Sequence, residues 1–158
     1  MRKSEQGFTL IELLIVIAII AVLAAVVFVA LNPAQRFQQA RDARRQSDVE
    51  NVAAALKMYQ LDNDGDYPAL VAALTTGNNY VIGTNATGCD TGCTAKTTQA
   101  ACIDLASLVT GGYLGAVPMD PTSGTAAKSD YYLTRNSTGT VEVGACDPEI
   151  ETTISVLR

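Results

Sequence analysis

A long apolar run near the start of the chain constrains most strongly what this sequence can fold into. The run extends over 24 residues, from Phe8 to Leu31, and Glu12 is its only charged residue. As an α-helix, a segment of this length reaches about 36 Å, enough to cross the hydrocarbon core of a membrane, which is about 30 Å thick. A carboxylate in such a helix is costly unless it has a partner, so Glu12 is a candidate functional residue.

The residues around Glu12 carry a family resemblance. The stretch from Gly7 to Val16 resembles the processing and assembly segment of type IV prepilins and of the pseudopilins of type II secretion. The resemblance implies that a membrane peptidase cuts after Gly7 and methylates the amine of the new first residue, Phe8. It also implies that Glu12 acts in subunit assembly, by neutralising the N-terminal amine of a neighbouring subunit.

An ordinary signal anchor is the alternative interpretation of this segment. In that case Gly7 is an incidental small residue, and Glu12 reaches the lipid headgroups without a specific partner. A signal-peptidase substrate is not a good match, because its small-residue cleavage site would follow the apolar core. A count of Lys and Arg would place the C-terminal side in the cytoplasm. All four cysteines lie on that side and suit an oxidising compartment, so we expect the opposite orientation, with the leader cytoplasmic.

The chain of 158 residues corresponds to one domain with an N-terminal stalk. We expect the α+β fold that the pilin resemblance implies. In this fold a long N-terminal helix, membrane-spanning in its first half, packs on a small antiparallel sheet. The expected segments are a cleaved leader at 1–7, a transmembrane and assembly helix at 8–31, an amphipathic continuation at 32–67 and a globular head at 68–158.

The amphipathic segment shows apolar residues at helical spacing, which predicts a face that packs on the sheet. The residues of this face are Val49, Val52, Ala53, Leu56 and Tyr59. Asn32 and Pro33 predict an interruption of the long helix, because proline removes one backbone hydrogen bond and clashes with the preceding turn. Asn63, Asp64 and Gly65 predict its end.

The last third of the chain has the pattern of a β-hairpin. The two strands are expected at Tyr131–Arg135 and Thr140–Gly144, joined by the turn Asn136–Gly139. A third strand is expected within Thr152–Leu157. Residues 69–115 are expected to be a loop-rich connector, because short apolar patches there alternate with Gly, Thr and Asn.

Four cysteines, Cys89, Cys93, Cys102 and Cys146, allow three disulfide pairings. The absence of histidine and the expected export favour two disulfides over a zinc site. Our preferred pairing joins Cys89 to Cys93 and Cys102 to Cys146. The second of these bonds would tie the connector to the edge of the sheet.

Charge is distributed unevenly along the chain. Residues 36–45 hold four arginines (Arg36, Arg41, Arg44, Arg45) and one aspartate, a net charge of +3, whereas residues 46–158 hold five Lys/Arg against thirteen Asp/Glu, a net charge of −8. The acidic head argues against a broad nucleic-acid-binding face. We expect the basic strip to be a solvated helix face or to contact lipid phosphates. DNA contact is the alternative, so DNA is a partner that the sequence allows without indicating it.

The sequence does not predict a metal or cofactor site. Residues 62–66 place three aspartates at alternate positions, as in a calcium loop, but no acidic ligand follows at the required distance. Asp, Asn and Gly are also the ordinary residues of turns. The resemblance to major pseudopilins implies a calcium site nearer the C-terminus, where Asp120 and Asp130 lie, but the ligands cannot be aligned. Without histidine or a Gly-rich loop carrying a phosphate-binding lysine, we predict that the chain is not an enzyme.

We therefore expect a structural subunit of a type IV pilus, used in adhesion, motility or DNA uptake. A pseudopilin of a type II secretion system is the alternative, and a plain single-pass membrane protein with a ligand-binding head is a third hypothesis. The expected partners are other pilins, as a homo- or hetero-polymer through the N-terminal helix, the prepilin peptidase and the inner-membrane assembly platform. The expected location is the inner membrane of a bacterium, then an extracellular pilus or a periplasmic pseudopilus.

Overall fold

The computed structural model describes residues 7–158. The expected leader, residues 1–7, therefore lies outside the described residues except for Gly7. The chain divides into two compact units, and the boundary between them falls between Phe37 and Gln38.

The first unit contains helix α1, Leu10–Leu31. By length and composition this helix could cross a membrane. It ends at Asn32, which has a left-handed backbone conformation with φ 37°. Pro33 then begins helix α2, Pro33–Asp62, because proline is well suited to a first helical position but not to the interior of a helix. The interruption predicted at Asn32 and Pro33 is confirmed.

In the second unit, α2 packs its apolar face against a β-sheet. Val49, Val52, Ala53, Ala55 and Leu56 are all buried, which confirms the predicted helical periodicity. Two contacts extend this packing. The Tyr131 hydroxyl donates a 2.8 Å hydrogen bond to Asp48 Oδ2 of α2, and the ring of Tyr59 meets that of Tyr113 edge-on at 5.3 Å between centroids.

The sheet has four antiparallel strands in the order β1-β2-β3-β4. Their bounds are Asn79–Val81 for β1, Tyr131–Arg135 for β2, Val141–Ala145 for β3 and Ser155–Leu157 for β4. The predicted hairpin is β2–β3, with Leu133 opposite Val143, and the predicted third strand is β4. The α+β class predicted from the sequence is confirmed.

Strand β1 was not predicted, because residues 69–115 were expected to be a loop-rich connector without a strand. With three residues it is too short to show an alternating pattern. It is defined instead by its pairing with β2 and by single bridges to the connector, from Asn79 to Thr98 and from Ile82 to Ile103. The remainder of the connector contains two short helices, α3 (Ala69–Ala72) and α4 (Ala106–Thr110).

The two faces of the sheet bury different clusters. Leu133 and Val143 belong to the main core with α2, whereas Val81 and Tyr132 lie in a smaller core with the cysteines. Side chains on neighbouring residues of a strand point to opposite faces, which explains this division. Gly144 makes room for the Tyr132 ring, since a Cβ at this position would lie 2.5 Å from the ring carbon Cζ.

Two disulfides close the smaller core, Cys89–Cys102 and Cys93–Cys146. The pairing that we favoured from the sequence is wrong. The loop doubles back so that Cys89 N–H donates to the Ala100 carbonyl at 2.9 Å, which brings Cys89 beside Cys102. Ala95 N–H donates to the Cys146 carbonyl at 2.9 Å, which brings Cys93 against the end of β3.

The two disulfides should contribute unequally to stability. The first joins residues separated by 13 positions and the second residues separated by 53. In the chain-entropy account, loops of these lengths are worth about 3 and about 4 kcal/mol respectively. We therefore expect Cys93→Ala/Cys146→Ala to lower the free energy of unfolding more than Cys89→Ala/Cys102→Ala. Urea unfolding of the full chain in detergent micelles, without reductant, measures both variants. A larger loss from the shorter loop would contradict the expectation.

Candidate functional site

The start of α1 holds three of the residues singled out from the sequence, Gly7, Phe8 and Glu12. Thr9 is the N-cap of the helix, and its hydroxyl accepts a 3.3 Å hydrogen bond from Glu12 N–H. In return, Glu12 Oε2 accepts hydrogen bonds from Thr9 N–H at 2.8 Å and from the Thr9 hydroxyl at 2.7 Å. This reciprocal pair is a capping box, which satisfies backbone donors that a helix start leaves free.

The capping box determines where the Glu12 carboxylate lies. Its bonds to Thr9 turn the side chain back towards the N-terminal end of α1, one residue from Phe8. Phe8 itself is 91% exposed. A cut after Gly7 would create an amine on Phe8, just before the helix end towards which this carboxylate is already directed.

The sides of α1 carry a continuous apolar surface. None of its residues is buried in the part of the chain that the structure describes. An apolar surface of this extent on a single helix is typical of a segment that contacts lipid or another protein. The one acidic group of α1 is thus satisfied by the N-cap residue Thr9, whereas the described residues leave the apolar surface of the helix uncovered.

The second unit contains a buried ion network centred on Arg45 of α2, whose side chain has no solvent exposure. Its guanidinium donates twice to Asp120, from Nε to Oδ2 at 2.6 Å and from Nη2 to Oδ1 at 3.1 Å. It also donates to Asp42 at 2.8 Å, to Glu149 at 3.1 Å and to the Thr122 hydroxyl at 3.0 Å. Bidentate contact of this kind fixes the orientation of both partners.

Asp42 connects α2 to the loop that precedes β4. Its carboxylate accepts backbone hydrogen bonds from Glu149, Ile150 and Glu151 at 3.0, 2.7 and 3.0 Å. Arg41 forms an ion pair with Glu149 in the same loop. Burial disfavours the ionised Asp42 carboxyl, but the three N–H donors and Arg45 outweigh burial and lower its pKa.

Asp120 connects α2 to the turn that precedes β2. Its Oδ1 accepts a 2.8 Å hydrogen bond from Thr122 N–H and a 2.5 Å hydrogen bond from the Thr122 hydroxyl. Burial would raise the pKa of the Asp120 carboxyl, but the hydrogen bonds from Arg45 and Thr122 outweigh burial and lower the pKa to about 2. Asp120 is therefore ionised and fully engaged within the head.

For Arg41 and Arg45, these contacts overturn the expectation that the basic strip at residues 36–45 is a solvated face or binds lipid phosphates. Arg45 is buried and Arg41 is paired, so neither is free to bind lipid phosphates or DNA. Apart from Asp42, which lies three residues before Arg45, their acidic partners are 75 to 108 residues away in the sequence, which no local pattern reveals. The sequence did contain a signal that Arg45 is buried. It precedes Val49 by four positions and therefore lies on the same buried face of α2. Arg44 differs, since its side chain is 64% exposed.

Of the aspartates considered for calcium, Asp120 is bound to Arg45 and Thr122, and those at 62–66 lie at the end of α2. In the 62–66 segment, Gly65 N–H donates to the Gln60 carbonyl at 2.8 Å, and Asp64 and Gly65 both have positive φ, as expected at a helix end. Asp130 Oδ1 lies 3.8 Å from Lys128 Nζ. Within residues 7–158, no group of three or more Asp, Glu, Cys or His side chains is arranged to hold a metal ion.

Comparison with known proteins identifies the family. Residues 2–28 match the family model described as the prokaryotic N-terminal methylation motif. The chain is 31% identical over 144 residues to the type II secretion system core protein G of Vibrio cholerae, an alignment that covers 90% of this chain and 80% of that protein. The chain belongs to the family of type IV pilins and type II secretion pseudopilins, as the resemblance seen in the sequence implied.

Two further relatives are similar over the N-terminal part. The type IV wide pilus major component PilA4 of Thermus thermophilus is 44% identical over 72 residues, which are 46% of this chain and 53% of that protein. The type II secretion system core protein G of Pseudomonas aeruginosa is 42% identical over 62 residues, 39% of this chain and 42% of that protein. The chain thus spans about half the length of these two relatives. A comparison with solved structures finds no match.

Replacing Arg45 should destabilise the second unit strongly. Arg45→Met leaves the Asp42 and Asp120 carboxylates buried without their cation, which typically costs about 3 to 5 kcal/mol. The matched control is Arg44→Met on the exposed side of the same turn, for which we expect a change within about 0.5 kcal/mol. Urea unfolding of both full-length variants in detergent micelles provides the comparison. Similar stabilities of the two variants would contradict the role given to Arg45.

Stability should also fall at acidic pH. The pKa of Asp120 is about 2 in the folded chain, below the value of about 3.9 expected when unfolded. The unfolded chain therefore takes up the proton first, so the stabilisation is complete above about pH 4 and is lost as pH falls towards about 2. Asp120→Asn should weaken this dependence, whereas Asp66→Asn, in the exposed turn after α2, should leave it unchanged. Melting temperatures recorded across this pH range test both expectations, and an unaltered slope in Asp120→Asn would contradict them.

Proposed function

We propose that the chain is a structural subunit of a filament of the type IV pilus kind, polymerised through α1. The observation that carries the proposal is the start of α1, where a carboxylate directed at the helix N-terminus heads a helix with no buried residue. Both features are explained if α1 lies in a membrane before assembly and among other copies of α1 afterwards. The proposed role is structural rather than enzymatic, as in pilins and pseudopilins generally.

Processing at Gly7 is the first step of this proposal. A prepilin peptidase would remove residues 1–7 and methylate the amine of Phe8. Gly7 has open space around its Cα, since no described atom beyond its chain neighbours lies within 4 Å of where a Cβ would be, so the described chain does not itself require a glycine there. The requirement for glycine is instead assigned to the peptidase, whose site a larger side chain would crowd.

Assembly is the second step, and it uses Glu12. Phe8 precedes Glu12 by four residues, which would be about 6 Å along the axis if the helix extended to the new N-terminus. A neighbour displaced along its axis by about this distance would bring its own amine to Glu12. Until then, the Thr9 hydrogen bonds satisfy the carboxylate. On assembly, the Glu12 carboxylate would leave Thr9 and pair with the Phe8 amine of a neighbouring subunit. This pairing would fix the register between subunits, since a charge left unpaired in an apolar filament core is costly.

The location and partners follow from this scheme. The chain would span the inner membrane of a bacterium once, with its leader in the cytoplasm and its second unit exported. The inner-membrane assembly platform would then move it into an extracellular pilus, as a homopolymer or together with other pilins. The two disulfides suit export, because such bonds persist in oxidising compartments.

A pseudopilin of a type II secretion system is the second candidate function. It is favoured by the Vibrio cholerae protein G, which aligns with 90% of this chain. In that case the filament would be short and periplasmic, and would act as a piston for secretion. Electron microscopy of cells that express the chain separates the two functions, since only a pilus forms long filaments outside the cell.

The proposal predicts that Glu12→Ala is cut after Gly7, methylated at Phe8 and inserted in the membrane, yet polymerises poorly. The physical reason is that the amine of each incoming subunit would lack its counter-charge. Intact-mass spectrometry checks the cut and the methyl group, and the amount of filament in the sheared fraction checks assembly. Glu50→Ala, which removes an exposed carboxylate from α2, is the matched control. Filaments at the wild-type level from Glu12→Ala would favour the signal-anchor interpretation instead.

A further inference from the structure

We infer that the two edges of the head bind each other in neighbouring copies. In this contact Leu157 at the β4 edge enters an apolar cavity on the β1 side of a second copy, and Arg158 pairs with Asp104 at the rim of that cavity. The inference rests on the proposed filament function and deepens it, because it specifies a lateral contact in addition to packing through α1.

The cavity has a volume of about 320 Å³ and lies between the end of β1, helix α4 and the loop that leads to β2. Its lining is mainly apolar, including Leu105, Val109, Val117 and Met119. Met119 is 44% exposed, so the cavity is accessible from solvent. Asp104 is the one charged residue among its lining residues. A site with this composition fits an aliphatic side chain with a cation beside it.

The cavity is held open by backbone contacts rather than formed by flexible side chains. Ser129 N–H donates to the Ile82 carbonyl at 2.8 Å, and Gly83 N–H donates to the Ile103 carbonyl at 2.9 Å. The Ala127 backbone approaches Gly83 so closely that a Cβ there would lie 2.8 Å from the Ala127 carbonyl carbon. These contacts fix the loop that forms one wall, so the cavity is present before a partner arrives.

The matching surface is the outer edge of β4. Arg158 exchanges two backbone hydrogen bonds with Val141 of β3, at 2.8 and 2.9 Å, and Ala145 N–H donates to the Ile154 carbonyl at 2.9 Å. In an antiparallel pair, alternate residues of a strand direct their N–H and C=O groups away from the neighbouring strand. Ser155 and Leu157 therefore present an open edge, and the Leu157 side chain is 59% exposed.

Charge supports a second copy as the occupant. Among residues 7–158, neither the Arg158 side chain nor the Asp104 carboxylate takes part in an ion pair. Asp104 is held at the cavity by a 2.8 Å hydrogen bond from Ala106 N–H, which leaves lone pairs available for a cation. An aliphatic residue followed by an arginine on one edge thus complements an apolar cavity with one carboxylate on the other.

The position of the two surfaces suits a filament. Strands β1 and β4 are the outer strands of the sheet, three strand spacings or about 14 Å apart. A contact between two different surfaces of identical subunits is heterologous, and it generates an open helical assembly when the rotation does not close into a ring. The same pair of surfaces could therefore recur between successive subunits.

Photo-crosslinking tests the contact in assembled material. A benzophenone amino acid placed at Leu157 of the full chain should crosslink, in sheared filaments, to a peptide of a second copy within residues 104–126. The same amino acid at Leu70, which is 54% exposed and outside both surfaces, should not crosslink to that peptide. Filaments in which the Leu157 probe crosslinks elsewhere, or to a different protein, would overturn the inference.

Charge reversal provides an independent test. Arg158→Glu and Asp104→Lys should each reduce filament yield by roughly threefold to tenfold, because like charges would then face each other. The double variant restores opposite charges and should recover most of the yield. Non-reducing electrophoresis checks that both disulfides have formed in every variant. Normal yield from both single variants, or no recovery in the double variant, would count against the contact.

The two proposals fail in different ways. Suppose that the wild-type chain forms filaments and Glu12→Ala does not, which supports the proposed function. If the Leu157 probe then crosslinks elsewhere and the charge reversals leave filament yield unchanged, only the lateral contact is wrong. If the processed wild-type chain forms no filaments when its assembly platform is present, the proposed function is wrong and the lateral contact falls with it.

Discussion

The burial of the Arg45 guanidinium is the interaction on which the second unit most depends. Removing a cation from water costs several kcal/mol, and the head compensates by surrounding it with Asp42, Asp120 and Glu149. Two of these acids also hold different parts of the chain, because Asp42 binds the loop before β4 and Asp120 shapes the turn before β2. One arginine thus couples α2 to the segments that lead into β2 and β4, and its loss would leave the buried Asp42 and Asp120 carboxylates without their cation.

In the first unit, the charged residue Glu12 is satisfied locally and not by distant segments of the chain. Glu12 is satisfied by Thr9 through bonds within one helical turn, so it does not depend on any distant residue. The apolar side chains of α1 cannot be buried by contacts within the helix, because a single helix cannot cover its own surface. A chain built in this way needs lipid or other copies around α1, whereas its second unit has a core of its own. This difference is the physical reason for assigning assembly to α1.

The parts of the fold that could be predicted are those encoded by neighbouring residues. The apolar run, the buried face containing Val49 and Leu56, and the β2–β3 hairpin all have local periodicity or turn signals. Strand β1, the disulfide pairing and the partners of Arg45 depend on contacts between distant segments, so local patterns were insufficient. Of the candidate residues, Gly7, Phe8 and Glu12 came from a motif of ten residues. Arg45 was misassigned because its charge was given more weight than its position on the buried face.

The structure also explains why a lateral contact between heads would be compatible with assembly through α1. A repeated contact requires that its two surfaces keep a fixed separation, since any variation between subunits would accumulate along a filament. Within the second unit, the β3–β4 edge is tied to α2 through Asp42, and the cavity side is tied to the same helix through Asp120. Both ties converge on Arg45, so the two edges are held against one rigid element. The ion network would then contribute to filament geometry as well as to stability, because it sets the distance between the surfaces that neighbouring subunits present.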